Sequence, residues 1–266
     1  VIHEHSAPDG VDVTVPNPAR VYDYALGGKN NYAVDREAAE KVFAAAPEMR
    51  AMARQNRWFL GRAVRFLAES GVRQFLDIGS GLPTQQNVHE VARETLPDAR
   101  VVYVDHDPVV AAHGEALLAD GRNAAFVRGD LRAPEEILAH PEVERLIDFR
   151  EPVALLLVAI LHFIPEEERP LELVERLAAP LAPGSHIVVS HVTSEFSPVE
   201  VGRLVALSAR AGAPWVARDR AGVLAFFDGF EPVEPGLVTA PEWRPTVARE
   251  VDREKMFVYA GVGRKP

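Results

Sequence analysis

The chain has 266 residues, 47% of them hydrophobic and 26% charged, which suits one α/β domain with a terminal extension that buries its core without covalent staples. A formal charge of −10 disfavours tracking of phosphate backbones, so nucleic acid is not the expected partner, and the lack of cysteine excludes disulfides, thiolate metal sites and covalent cysteine attack on a pyrimidine. The longest apolar run, Val153 to Leu161, falls far short of the roughly 20 residues that cross a bilayer, and no leader is visible over Val1 to Gly10, so a cytoplasmic, membrane-free protein is expected.

Residues 1 to 20 read as a tail that becomes ordered near Pro16-Asn17-Pro18-Ala19-Arg20. Helices are predicted over Asp35 to Ala45 and Pro47 to Ser70, with Asp35 as a cap, Pro47 opening the second and Gly71 closing it. In that second helix Met52, Asn56, Phe59, Leu60, Ala63 and Leu67 share one face, leaving Arg54, Arg62, Arg65 and Glu69 outside. From residue 73 short apolar runs alternate with helical stretches, the pattern of βαβ units on a parallel sheet. Strands are placed at Arg73 to Ile78, Arg100 to Asp105, Ala124 to Arg128, Val153 to Ile160 and His186 to Ser190. Phe230 to Val238 and Lys255 to Val262 resemble an antiparallel pair at a sheet edge. The division that follows is an N-terminal tail, lid and helical extension over 1–70 and an α/β core over 71–266.

Asp77-Ile78-Gly79-Ser80-Gly81 ends the first core strand and leads towards a helix expected near Thr84. Glycines there let the backbone turn sharply and approach a ligand, and a helix start offers free N–H groups. Asp105 closes the next strand about 25 residues on, where an acid grips ribose hydroxyls. A dinucleotide fingerprint would need a third glycine where Thr84 stands, and Asp77 would repel a pyrophosphate. An acid before the first glycine suits a sulfonium cofactor carrying an amino group. Asp130 follows the third strand at the same carboxyl-end rim.

The spacing of Asp77 to Gly81, Asp105 and Asp130 resembles motifs I to III of class I methyltransferases. Pro18-Ala19-Arg20-Val21-Tyr22-Asp23-Tyr24-Ala25-Leu26-Gly27-Gly28-Lys29-Asn30-Asn31-Tyr32, with Gly81-Leu82-Pro83-Thr84, Asn87-Val88-His89-Glu90, Phe227-Asp228-Gly229-Phe230 and Pro235-Gly236-Leu237, is similar to the DUF574 family of S-adenosyl methyltransferases. The resemblance implies a Rossmann-like α/β fold, a seven-stranded mostly parallel sheet with one antiparallel strand, helices on both faces and a helical N-terminal extension. It implies S-adenosylmethionine as cofactor, with Asp77, Gly79, Ser80 and Gly81 facing the methionine end and Asp105 on the ribose. His106, Asp130 and Leu131 would meet the adenine, and Ala159 would border the cofactor at the end of the fourth strand.

Methyl transfer to an activated sulfonium is an in-line displacement, so the protein mainly holds donor and acceptor in attack geometry. His162 ends the fourth strand beside the expected methyl, either shaping the acceptor pocket or acting as general base; His191, ending the fifth, shares that catalytic candidacy. Together with Glu195 these side chains lack a compact ligand spacing, so no metal is expected. An Asn-Pro-Pro-Tyr motif, typical of amino-group methylation of adenine or glutamine, is absent, which turns the reading towards a small-molecule acceptor. Tyr22, Tyr24, Gly28, Lys29 and Asn31 form a candidate lid, and Asn56 and Arg57 candidate acceptor or cofactor contacts. Gly28-Lys29 lacks the rest of a P-loop. The alternatives are a catalytically silent S-adenosylmethionine-binding regulator and a nicotinamide-dependent oxidoreductase.

Overall fold

A computed structural model of the chain describes residues 12–83, 86–118, 122–247 and 251–266, the side chains at 115–118 and 253 excepted. The expected helical extension is formed by α1 (Pro18–Ala25), α2 (Ala33–Ala45) and α3 (Met49–Glu69). Asn17 caps α1, accepting from the N–H groups of Ala19 and Arg20, and Pro18 occupies the first turn, where a missing N–H costs nothing. Asp35 lies inside the first turn of α2 instead of capping it; its Oδ2 accepts the Tyr32 N–H at 2.8 Å. Helix α3 closes at Gly71 with φ +89°, where the Val72 and Gly71 N–H groups reach Leu67 O and Ala68 O, each at 3.0 Å.

The six residues assigned to the inner face of α3 are all buried. Arg62, expected outside, is half-buried under a returning loop: its Nε donates to Trp243 O at 2.8 Å and its Nη2 to Ala240 O at 2.6 Å. Trp243 is fully buried and packs edge-on to Phe59 and Phe66.

The core then runs β1 (Gln74–Ile78), α4 (Val88–Arg93), β2 (Arg100–Asp105), α5 (Pro108–Leu118), β3 (Ala124–Arg128), α6 (Pro134–Leu138), α7 (Pro141–Leu146) and β4 (Val153–Val158). It continues through α8 (Pro170–Ala178), β5 (His186–Val192), α9 (Pro198–Arg210), α10 (Arg220–Leu224), β6 (Glu231–Pro232), β7 (Val238–Thr239) and β8 (Val258–Arg264). The sheet order is β3-β2-β1-β4-β5-β8-β6, with β7 also paired to β8. Strands β1 to β5 are mutually parallel, and β8 is antiparallel to β5. Because β5 covers one side of β8, β6 and β7 both lie on the other, in line along one edge. The sheet therefore has the seven expected positions with one antiparallel strand, and its outermost position is broken in two.

Several boundaries differ from the expected ones for local reasons. Strand β4 stops at Val158 because Ala159 takes φ +58°, outside the extended region. The single run expected over 230–238 divides at a turn: Val233 donates to Val262 O at 2.9 Å, its own carbonyl then accepts the Gly236 N–H at 2.8 Å, and the chain returns to the ladder only at Val238. The expected helix start at Thr84 lies outside the described residues, and α4 begins at Val88.

Parallel strands covered on both faces must be apolar on both, and β1 and β5 are buried throughout. Leu76, Val102, Leu155 and Ile187 face one apolar layer; Phe75, Val101, Leu156 and Val188 face the other, which includes Phe59, Val64 and Leu67 of α3. Strand β1 has β2 on one side and β4 on the other, so the connections leaving their carboxyl ends diverge and open a crevice there. No described helix is long and apolar enough to cross a membrane.

Candidate functional site

The crevice is bordered on the β1–β2 side by the glycine bend. Gly79 and Ser80 donate their N–H groups to Val104 O at 2.8 and 3.1 Å, which folds the bend back onto β2. Gly79 has φ +72°, and a Cβ there would lie 2.6 Å from Ile160 Cγ1, so the exit of β4 presses directly on the bend. Gly81, at φ +65°, has open space where a Cβ would be and donates its N–H to Asp105 Oδ2 at 2.9 Å. The bend and the ribose-acid candidate are thus in direct contact.

Asp105 is buried, with its Oδ1 accepting the Asp107 N–H at 3.0 Å. Burial raises its pKa, and those two N–H groups act against the rise by favouring the carboxylate. Asp77 is also buried and is pushed up to about 7 by desolvation, which the nearby Arg57 charge opposes and Asp105 reinforces. A small hollow is lined by Asp77, Arg57, Ser80, Gly81, Tyr103 and Phe126, among others. Two buried acids of this kind fit a ligand bearing a positive charge and ribose hydroxyls, and they fit a pyrophosphate poorly.

The remaining cofactor candidates are spread along the same rim. The Gly129 N–H bonds Asp105 O at 3.0 Å, which sets the end of β3 beside Asp105. Two residues on, Asp130 is half-exposed, its Oδ1 accepting the Arg132 N–H at 2.9 Å. The His106 ring is exposed, its Nδ1 3.6 Å from Asp105 Oδ1. Leu131 differs from its expected place: its side chain is buried in the main core, which leaves only its backbone for the rim. Ala159 donates its N–H to Ser190 Oγ at 3.0 Å, tying the exit of β4 to β5.

The N-terminal arm joins this rim through residues the sequence reading did not single out. Asn17 Nδ2 donates to Asp107 Oδ2, and Ala19 packs with Leu82, Val109 and Val110. Asp23 organises the following loop: its Oδ2 accepts from the Asn30 N–H at 2.9 Å and from Asn31 Nδ2 at 2.8 Å, and its carboxylate fills the space a Cβ at Gly28 would need. Tyr22 donates to Ala53 O at 3.0 Å and accepts from Asn56 Nδ2 at 3.1 Å; Asn56 Oδ1, also buried, has no hydrogen-bond partner among the described residues. Arg57 reaches Gln86 O at 3.2 Å from its place beside Asp77. Tyr24 and Lys29 do not join the group. Tyr24 bonds Glu40 and stacks with Phe43 under Arg50, on the outer side of the arm, and Lys29 is exposed.

At the β4–β5 end the two histidines do share one cluster, with ring centroids 5.8 Å apart. His162 is buried edge-on to Trp215 at 5.3 Å and close to Phe163 at 4.5 Å, and its Nδ1 lacks a partner among the described residues. Desolvation first, and then the neighbouring His191 and Arg218, which would repel a second positive charge, hold its pKa well below the ordinary imidazole range. His191 differs from the catalytic group expected of it. Arg218 Nη1 donates to its Nε2 at 2.7 Å and its Nδ1 lies 2.7 Å from Val192 O, so the ring is a neutral Nδ1–H tautomer with both nitrogens engaged. Burial pushes its pKa down to about 4.

Arg218, also missed, fixes the turn that carries His162. It is 7% exposed and donates to Leu161 O at 3.1 Å, Ile164 O at 2.9 Å and Glu166 Oε1 at 2.8 Å, while the Val216 N–H bonds His162 O at 2.8 Å. Glu195 is taken by the Tyr259 hydroxyl and the Arg220 N–H, and no cluster of metal-ligating side chains occurs among the described residues.

A family model described as S-adenosyl methyltransferase matches residues 4–266. A DUF574 family protein of Streptomyces avermitilis MA-4680 is 41% identical, with a TM-score of 0.93 over 96% of this chain and 99% of that one. A protein of Thermobifida fusca YX provisionally assigned as a methyltransferase is 43% identical, with a TM-score of 0.92 over 97% and 98%. At 17% identity, a Bordetella parapertussis protein provisionally described as exported shares only the fold, with a TM-score of 0.56 over 94% of this chain and 80% of that one. No curated protein sequence matches the chain.

Proposed function

The chain belongs to the S-adenosyl methyltransferase family, and from that membership we propose that it is an active enzyme that methylates an O or N atom of a small-molecule acceptor. The observation that carries the donor half of this reading is the hydrogen bond between the Gly81 N–H and Asp105 Oδ2, which unites bend and acid at one rim. Asp105 keeps lone pairs for the ribose hydroxyls, and the backbone of 79–81 lines the methionine end. Asp77 receives the amino group, whose positive charge favours the ionised carboxylate. Asp130, His106 and the backbone of Leu131 border the adenine.

S-adenosylmethionine, when bound, supplies a methyl group already activated for displacement. The protein's own part is to hold an acceptor in line with that methyl and to exclude water. His162 is the acceptor-side group: neutral and buried, its unpartnered Nδ1 can accept a hydrogen bond from an attacking hydroxyl or amine and so orient it, while its lowered pKa disfavours the ring's taking the proton outright. His191 and Arg218 hold its turn and stay out of the chemistry. A silent regulator is the second reading, favoured by the closure of the histidine cluster around His162.

Titration calorimetry with S-adenosylmethionine, followed by assay of S-adenosylhomocysteine formation against a panel of small phenols, amines and carboxylates, tests both readings. Binding with turnover on at least one acceptor supports the enzyme. Binding with no turnover on any of them supports the regulator, and saturation by a nicotinamide dinucleotide with no response to S-adenosylmethionine would overturn both.

A further inference from the structure

We propose that Asn17 and Asp107 form a positioning pair for Asp105, which makes the N-terminal arm a working part of the cofactor site; this rests on the reading of Asp105 as the ribose ligand. The two residues are the caps of two different helices, and they meet each other. Asn17 Oδ1 accepts the Ala19 N–H at 2.8 Å at the start of α1, and Asp107 Oδ1 accepts the Val109 N–H at 2.6 Å at the start of α5. The atoms the caps leave over, Asn17 Nδ2 and Asp107 Oδ2, are joined by a hydrogen bond. The Asp107 N–H then holds Asp105 Oδ1 at 3.0 Å, and Asp105 Oδ2 holds the Gly81 N–H at 2.9 Å. One unbroken line of hydrogen bonds thus runs from the arm through the ribose acid to the glycine bend.

Each link is sheltered. Asp107 is 5% exposed, the Asn17 N–H is anchored on Asp35 Oδ1 at 2.9 Å, and Asp35 is paired with buried Arg20 at 3.0 Å. Ala19 of α1 rests on the same apolar group as Leu82 and Val109, so the arm touches the connections after both β1 and β2. A carboxylate that must offer oxygens to two adjacent hydroxyls depends on its rotamer, and one of the two N–H groups fixing that rotamer belongs to the residue that Asn17 holds. Asn17-Pro18 and Asp107-Pro108 are the same signal, a capping residue before a proline at a helix start, and both could have been read from the sequence.

The test uses the full chain, S-adenosylhomocysteine and its 2′-deoxyribose analogue. Asn17→Asp keeps an acceptor for capping α1 but sets an oxygen against Asp107 Oδ2; adding Asp107→Asn restores a donor between the two while leaving an acceptor for α5. Asn17→Asp is expected to weaken S-adenosylhomocysteine by about tenfold, to speed its dissociation and to shrink the preference for ribose over 2′-deoxyribose. The double variant should recover all three. A folded Asn17→Asp chain with unchanged affinity and ribose preference, or a double variant that melts normally yet recovers neither, would overturn the pair. Failure of the unsubstituted chain to bind S-adenosylhomocysteine would instead remove the cofactor reading beneath it.

Discussion

The two sides of the crevice are made of different material. At the β1–β2 side the contacts that set its shape involve the backbone: N–H groups of Gly79, Gly81 and Asp107, carbonyls of β2 and one carboxylate. At the β4–β5 side they are made by long side chains that arrive from distant segments, with Arg218 reaching Leu161, Ile164, Glu166 and His191. A backbone-built site constrains which residues can stand there and keeps its geometry when its neighbours change. One built from side chains can be refashioned by substituting them, which is what the proposed placing of the acceptor on this side would require.

The contrast can be broken most directly at Arg218. Arg218→Ala strands two carbonyls and the His191 Nε2 in a buried place, so a loss of about 3–5 kcal/mol is expected in chemical denaturation. A loss below about 1 kcal/mol would mean that the turn bearing His162 stands without its side-chain frame. On the backbone-built side, Asp105→Ala should lower S-adenosylmethionine affinity by about 1.5–3 kcal/mol, the worth of charge-assisted hydrogen bonds, while the chain stays folded. Unchanged calorimetric affinity would remove Asp105 from the site.

The smallest effect is a response to pH of opposite sign on the two sides. Asp77 is raised to about 7 in the folded chain from about 3.9 when unfolded, so its contribution to stability is complete below about pH 4 and is lost as the pH climbs through 7. His191 is depressed to about 4 from about 6.5, so its contribution is present above about pH 6.5 and is lost as the pH falls through 4; His162 shifts in the same direction. A ligand ammonium beside Asp77 favours the carboxylate. Binding below pH 7 should therefore release a proton, read by calorimetry in buffers of different ionisation heat. Proton uptake, or no change, would part Asp77 from the ligand's charge.

Much of the backbone-built side was legible in the sequence. Gly79, Gly81 and Asp105 are residue types that a positive φ, a close approach by Ile160 and a strand-end carboxylate require, and such demands leave a local mark. The β strands were legible for a similar reason, since burial on both faces forces apolar runs. Arg218 was not, because nothing near it in the chain marks a cation that serves carbonyls more than 50 residues away. His191 was read by its position at a strand end, which tells nothing of the guanidinium that takes its Nε2. Arg62 looked solvent-facing from its helical spacing until the segment 240–243 folded back over it.

The broken outer position of the sheet bears on how copies of the protein meet. A continuous outer strand would present an uninterrupted row of donors and acceptors on which a second chain could align and extend the sheet. Here β6 and β7 hold two residues each, and Pro232 removes one donor from that row. A foreign strand finds no template of useful length along this flank, so intermolecular sheet growth is opposed where the fold would otherwise invite it.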